Sequence, residues 1–127
     1  CCGKLARLID MTNAFISDLT TTVNEFVAER DWQQFHSPKN LAMALIVEAA
    51  ELVEHFQWLT ANESASLDDV KKSAVAEELA DVLVYLVCIA DRLEIDLEAA
   101  AFSKMGKNRE KHPVEHARGH ARKPSES

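Results

Sequence analysis

Glu48 and Glu51 lie three residues apart inside an apolar segment, residues 40–58 (NLAMALIVEAAELVEHFQW). Glu78 and Asp81 repeat that spacing inside a second one, residues 77–93 (EELADVLVYLVCIADRL). At about 100° per residue, a helix sets each pair one turn apart on neighbouring edges of one face. A carboxylate drawn toward an apolar core costs on the order of several kcal/mol unless positive charge meets it. No Lys or Arg stands near either pair. The simplest arrangement has the two helices face each other, so that the four acids share divalent metal. An all-oxygen ligand set selects Mg²⁺, Mn²⁺ or Ca²⁺ over softer ions. Such a cation leaves positions for phosphate oxygens and acidifies a bound water.

Four helices are expected to carry these groups. Residues 5–30 place Leu5, Leu8, Ile9, Phe15, Ile16, Leu19, Val23, Phe26 and Val27 at intervals of three and four. The threonines Thr20, Thr21 and Thr22 weaken this helix locally without breaking it. A polar-aromatic connector follows at residues 31–37. Ser37 then caps a second helix with Pro38 in its first turn, running to about Leu59. Residues 60–66 read as a loop. Ser66 and Asp69 resemble a capping box for a third helix, from Leu67 to about Leu93. Its apolar face is Val75, Leu79, Val82, Leu86, Ile89 and Leu93. Glu78 falls roughly 75° from the centre of that face, and Glu77 nearly opposite it. Asp96 caps a fourth helix, residues 97–111, which Pro113 stops. Residues 1–113 form one all-α domain in this reading, and residues 114–127 a mobile tail.

Composition narrows the class. The chain has 127 residues, with Gly and Pro at three each, which favours helices over a many-stranded sheet. A net charge of −7 argues against nucleic acid or an anionic membrane as partner. No apolar run is long enough to span a bilayer, and no signal-peptide pattern opens the chain. Cys1, Cys2 and Cys88 are an odd set without disulfide spacing, so a reduced, cytoplasmic setting is expected. The chain starts with Cys rather than Met; a lipid-modified Cys1 is the minor alternative. The second and third helices are apolar around most of their circumference, more than four helices can cover. A homo-oligomer with symmetric pairing is therefore expected.

EAAE at residues 48–51 followed by EELADVLVYL at residues 77–86 resembles the E-x-x-E…E-x-x-D signature of the MazG-like all-α nucleoside triphosphate pyrophosphatases. ERDWQQFHSPKNLAMAL, EHFQW and KMGKNREKHPVEHARG look like the dCTP pyrophosphatase branch, over roughly residues 15–119. The resemblance implies a four-helix MazG-like bundle assembled as a dimer of dimers. It implies Mg²⁺-dependent cleavage of a nucleoside triphosphate between the α and β phosphates, with Mn²⁺ as a substitute ion. Carried over by position, Glu48, Glu51, Glu78 and Asp81 would hold metal. Trp32, Gln33, Gln34, Phe35, His36 and Trp58 would line a nucleoside pocket, and Tyr85 would contact substrate. Lys104 and Asn108 would assist with phosphate. Two indoles can sandwich a base, and stacking of that kind is worth about 1–3 kcal/mol for any base. Glu48 or Glu51 would be the general base.

The chain departs from that branch at Val23, where relatives have His, and at His112, where they have Tyr. His112, His116 and His120 are spaced by four, but Pro113 and Gly119 interrupt a helix there, so they read as tail residues. Two other readings stay open. One is a non-catalytic nucleotide-binding or helical assembly module with a remnant site. The other is a redox di-metal bundle, which wants Glu-x-x-His pairs that neither acidic segment has.

Overall fold

The computed structural model describes residues 2–121, with side chains from residue 14. The expected positions Leu5, Leu8 and Ile9, the side chains of Cys1 and Cys2, and tail residues 122–127 lie outside the described residues. Among the described residues all regular structure is helical: α1 (Cys2–Glu29), α2 (Pro38–Glu54), α3 (Ala61–Ser64), α4 (Asp69–Arg92), α5 (Leu97–Lys111) and α6 (Val114–Ala117). A single 3-10 turn, Gln33–Phe35, lies in the connector after α1. No helix of the described residues is long and apolar enough to cross a membrane.

The threonine run of α1 stays helical because each hydroxyl bonds one turn back. Thr20 Oγ1 donates to Ile16 O at 2.7 Å, Thr21 to Ser17 O at 3.1 Å and Thr22 to Asp18 O at 3.0 Å. Asp31 then enters the left-handed region at φ 54°. Trp32 N donates back to Val27 O at 3.0 Å, so the chain leaves α1 through a Schellman-type end. Ser37 caps α2 as expected, accepting from Asn40 N at 3.1 Å, with Pro38 in the first turn.

Three boundaries differ from expectation. α2 ends at Glu54 rather than Leu59, and the chain turns through His55 to Trp58. The expected loop contains α3, started by a capping box in which Thr60 accepts from Glu63 N and Glu63 accepts from Thr60 N. α4 is capped by Asp68, not Ser66, through a bond from Lys71 N at 2.8 Å.

The chain divides between Ile95 and Asp96 into two compact units. In the first, α4 packs against both α2 and α1. Val23 and Val27 of α1, Leu41 of α2 and Cys88 of α4 form the buried cluster, with Leu19, Val84, Tyr85 and Ile89 packed on it. Leu41 and Val87 are the most deeply buried side chains. The expected core face of α4 is corrected here: Leu79, Leu86 and Leu93 are exposed. The helix instead turns its Tyr85–Cys88 side to its neighbours, an option open to a helix that is apolar nearly all round. On α2, Met43, Ile46, Val47 and Val53 are exposed as a stripe with spacings of three, four and seven. The second unit holds α5 and α6. Asp96 caps α5 by accepting from Ala99 N at 3.0 Å, and the expected tail contains the helical turn α6.

Candidate metal and nucleotide site

Packing α2 against α4 brings Glu48, Glu78 and Asp81 together. One carboxylate oxygen from each lies within 4.8 Å of the others. Glu48 and Glu78 are half-buried and Asp81 is exposed, so the trio opens to solvent on the Asp81 side. Glu77 is exposed. Glu51 stands one turn beyond Glu48, exposed and outside the trio, yet close enough for its charge to act on Glu48.

The electrostatics record unmatched negative charge. Burial pushes the Glu48 carboxyl above its usual range, and the charges of Glu51 and Asp81 push it further. The Glu78 charge acts in the same direction. Burial likewise raises the Tyr85 phenol, helped by Glu48 and Asp81, which keeps it a protonated donor beside the acids.

One neighbour was absent from the residue reading. His55, the residue that caps the end of α2, places Nε2 3.5 Å from Glu78 Oε1. A search for cations among Lys and Arg alone passes over it. The signal available was its position in EHFQW, four residues after Glu51 and seven after Glu48, on the same helix face.

The nucleoside-pocket residues separate into two places. Gln33 and His36 line a cavity of about 330 Å³ with Asn24, Leu41, Asp91 and Arg92. Trp58 lines a larger groove of about 750 Å³ with Leu59, Asn62 and Lys71. The first unit therefore does not bring Trp58 into one cavity with the connector residues. Trp58 is 87% exposed. Trp32 packs edge-on against Phe26, ring centroids 5.7 Å apart, and Arg30 lies over the other partner of that pair, 3.7 Å from the Phe26 centroid. Gln34 bonds back to Asp31 O at 3.0 Å, and Phe35 is exposed while its carbonyl accepts from Asn40 at 3.0 Å. Val23, where the resembling branch has His, is buried in the core cluster. Lys104 and Asn108 lie four apart on α5, in the second unit.

An ion fits the trio by its donor chemistry: three carboxylates, no sulfur or imidazole among them, and charge that raises Glu48. That set suits a hard divalent cation.

The model of the MazG-like family matches residues 43–126. The chain is 46% identical over 108 residues to dCTP pyrophosphatase 1 of Mus musculus, covering 84% of this chain and 64% of that protein. It is 45% identical over 113 residues to dCTP pyrophosphatase 1 of Homo sapiens, covering 87% and 66%. The chain thus spans just under two thirds of the length of these curated relatives. Among solved structures, a pyrophosphatase from Archaeoglobus fulgidus is similar with a TM-score of 0.74 at 40% identity, covering 78% of this chain and 93% of that one.

Proposed function

Because the chain belongs to the MazG-like family, we propose that it is a nucleoside triphosphate pyrophosphohydrolase. It cleaves a (deoxy)nucleoside triphosphate, with dCTP and related dNTPs as the substrate class, between the α and β phosphates. The products are the monophosphate and pyrophosphate. The observation that carries this reading is the convergence of Glu48, Glu78 and Asp81 within 4.8 Å on two facing helices. The relatives named dCTP pyrophosphatase and the archaeal pyrophosphatase support the substrate and the bond cleaved.

Glu48, Glu78 and Asp81 hold the cation, Mg²⁺ with Mn²⁺ as substitute, and Glu51 extends the site on its exposed side. The cation supplies charge neutralisation at phosphate oxygens. Glu51, exposed and one turn from Glu48, orients the attacking water and takes its proton, with Glu48 sharing the charge. His55 holds the Glu78 carboxylate in its orientation. Tyr85 offers a protonated hydroxyl between the acids and the core. The connector residues Trp32, Gln33, Gln34, Phe35 and His36 contact the nucleoside. Self-association to a dimer or a tetramer covers the exposed stripe of α2, the leucines Leu79 and Leu86 of α4, and Trp58.

The test is a panel of nucleoside triphosphates incubated with the protein and Mg²⁺, with products separated by chromatography. Monophosphate and pyrophosphate in equal amounts are expected. Binding without any product would favour the remnant-site reading instead.

A further inference from the structure

We propose that the cavity of about 330 Å³ beside α4 is the base-recognition subsite of this reaction, and that Asp91 reads an exocyclic amino group on a cytosine-type base. The inference rests on the nucleotide reading above and adds to it the residues that choose the base.

The register of two helices places this cavity in line with the acids. Asp81, Tyr85, Cys88 and Arg92 follow one another along α4 at intervals of four, three and four, so they share one face. Leu41 and Glu48 are seven apart on the facing helix α2 and share a face in the same way. Glu48 and Asp81 belong to the acidic region, while Leu41, Cys88 and Arg92 line the cavity. Seven residues of helix advance about 10 Å. That spacing is comparable to the reach from the α phosphorus of a nucleotide to its base. Tyr85 lies between the two ends.

The cavity is small for a ligand site, near the bottom of the ~300–1,000 Å³ range, and suits one heterocycle rather than a whole nucleotide. Val27, Leu41 and Cys88 give it an apolar floor. Burial raises the Cys88 thiol, so it behaves there as a small neutral group. The rim is polar and already held in place. Asn24 Nδ2 donates to Asp91 Oδ2 at 3.1 Å, across α1 and α4. Among the described residues, Asp91 Oδ1 has no side-chain partner and is left to accept. Arg92 Nη2 donates to Gln33 O at 2.9 Å, which ties the connector to α4 and leaves further N–H groups of the guanidinium. The cavity wall thus offers an acceptor at Asp91 and a donor at Arg92. Cytosine presents the matching edge, an amino donor beside a ring-nitrogen acceptor. Uracil and thymine present a carbonyl beside an N–H, which sets the carbonyl against the Asp91 carboxylate.

The experiment uses the monophosphates dCMP and dUMP, which are not turned over, in calorimetric titrations of the full chain with Mg²⁺. The wild type is expected to bind dCMP about tenfold tighter than dUMP, the scale of one charge-assisted hydrogen bond. Asp91→Asn, whose amide can face a carbonyl, is expected to bring the ratio to about threefold or lower by weakening dCMP and strengthening dUMP. Asn24→Ala, which frees the Asp91 carboxylate to rotate, is expected to lower the ratio by a smaller factor. A residue that merely bridges α1 and α4 would weaken both nucleotides alike. An unchanged ratio in Asp91→Asn, or no preference in the wild type, overturns the proposal. Pyrophosphate release from dCTP, followed separately, reports on the proposed reaction, so failure there is distinguishable from failure of the base subsite.

Discussion

His55 Nε2 lies 3.5 Å from Glu78 Oε1, a contact across 23 residues of sequence between the end of α2 and the first half of α4. His55 closes α2 with helical backbone angles, φ −67° and ψ −20°, so it continues the face of Glu48 and Glu51 and its ring meets Glu78 of the facing helix.

The contact predicts that His55 acts on the cation through Glu78. Removing a group that orients a ligating carboxylate typically weakens metal affinity about 10–100-fold. His55→Ala is expected to shift the midpoint of Mg²⁺-induced thermal stabilisation to at least about tenfold higher concentration. His55→Gln, which keeps a donor, is expected to recover part of it. Identical midpoints in wild type and His55→Ala would exclude this role.

Glu48 predicts a pH dependence of the metal-free fold. Its carboxyl is raised in the folded protein, by burial first and then by Glu51 and Asp81, above the ordinary value of 4.5. Below 4.5 the group is protonated in both states and its contribution to stability is complete. As pH rises through the raised folded value, that contribution is lost, because the fold must then hold the charge beside other acids. In chelator, the melting temperature should fall as pH rises from about 4.5, and Glu48→Gln should show a shallower slope over that window. Saturating Mg²⁺ should reverse the wild-type decline. Parallel slopes in the two proteins would show that Glu48 carries no such strain.

Leu41 predicts the weight of the small core. It is 2% exposed and joins α1, α2 and α4 in one cluster. Leu41→Ala should destabilise the chain by about 2–4 kcal/mol, read from urea unfolding. A loss below about 1 kcal/mol would mean that the cluster collapses onto the space left behind.

Glu94 predicts a stabilising change. It sits at φ 53°, in the left-handed turn after α4, where Ile95 N donates to Ala90 O at 2.8 Å. A side chain there costs about 1 kcal/mol relative to Gly. Glu94→Gly should raise the melting temperature by a few degrees, and a lower one would show that the Glu94 side chain stabilises the turn.

The acidic pairs were legible in the sequence because carboxylates inside apolar helices are chemically conspicuous, and two such helices have few other ways to settle them. The caps at Ser37 and Asp96 were legible because a polar cap before a helical run is a local signal. The end of α2 was not, since the apolar residues of HFQWL continue the pattern past the true stop. Thr60 and Glu63 carried a capping box in plain view, but a four-residue helix has no periodicity to confirm it. The side of α4 that packs inward could not be chosen either. Leu79, Leu86 and Leu93 are as apolar as Val84 and Cys88, and only the partners α1 and α2 decide between them.

The central claim is that acids from α2 and α4 converge to hold a divalent cation. Electron paramagnetic resonance of added Mn²⁺ tests it most directly. The account predicts a bound Mn²⁺ signal in the wild type that disappears in the double variant Glu78→Gln, Asp81→Asn while helical circular dichroism persists. Equal Mn²⁺ binding by that variant, or none by the wild type, would contradict it.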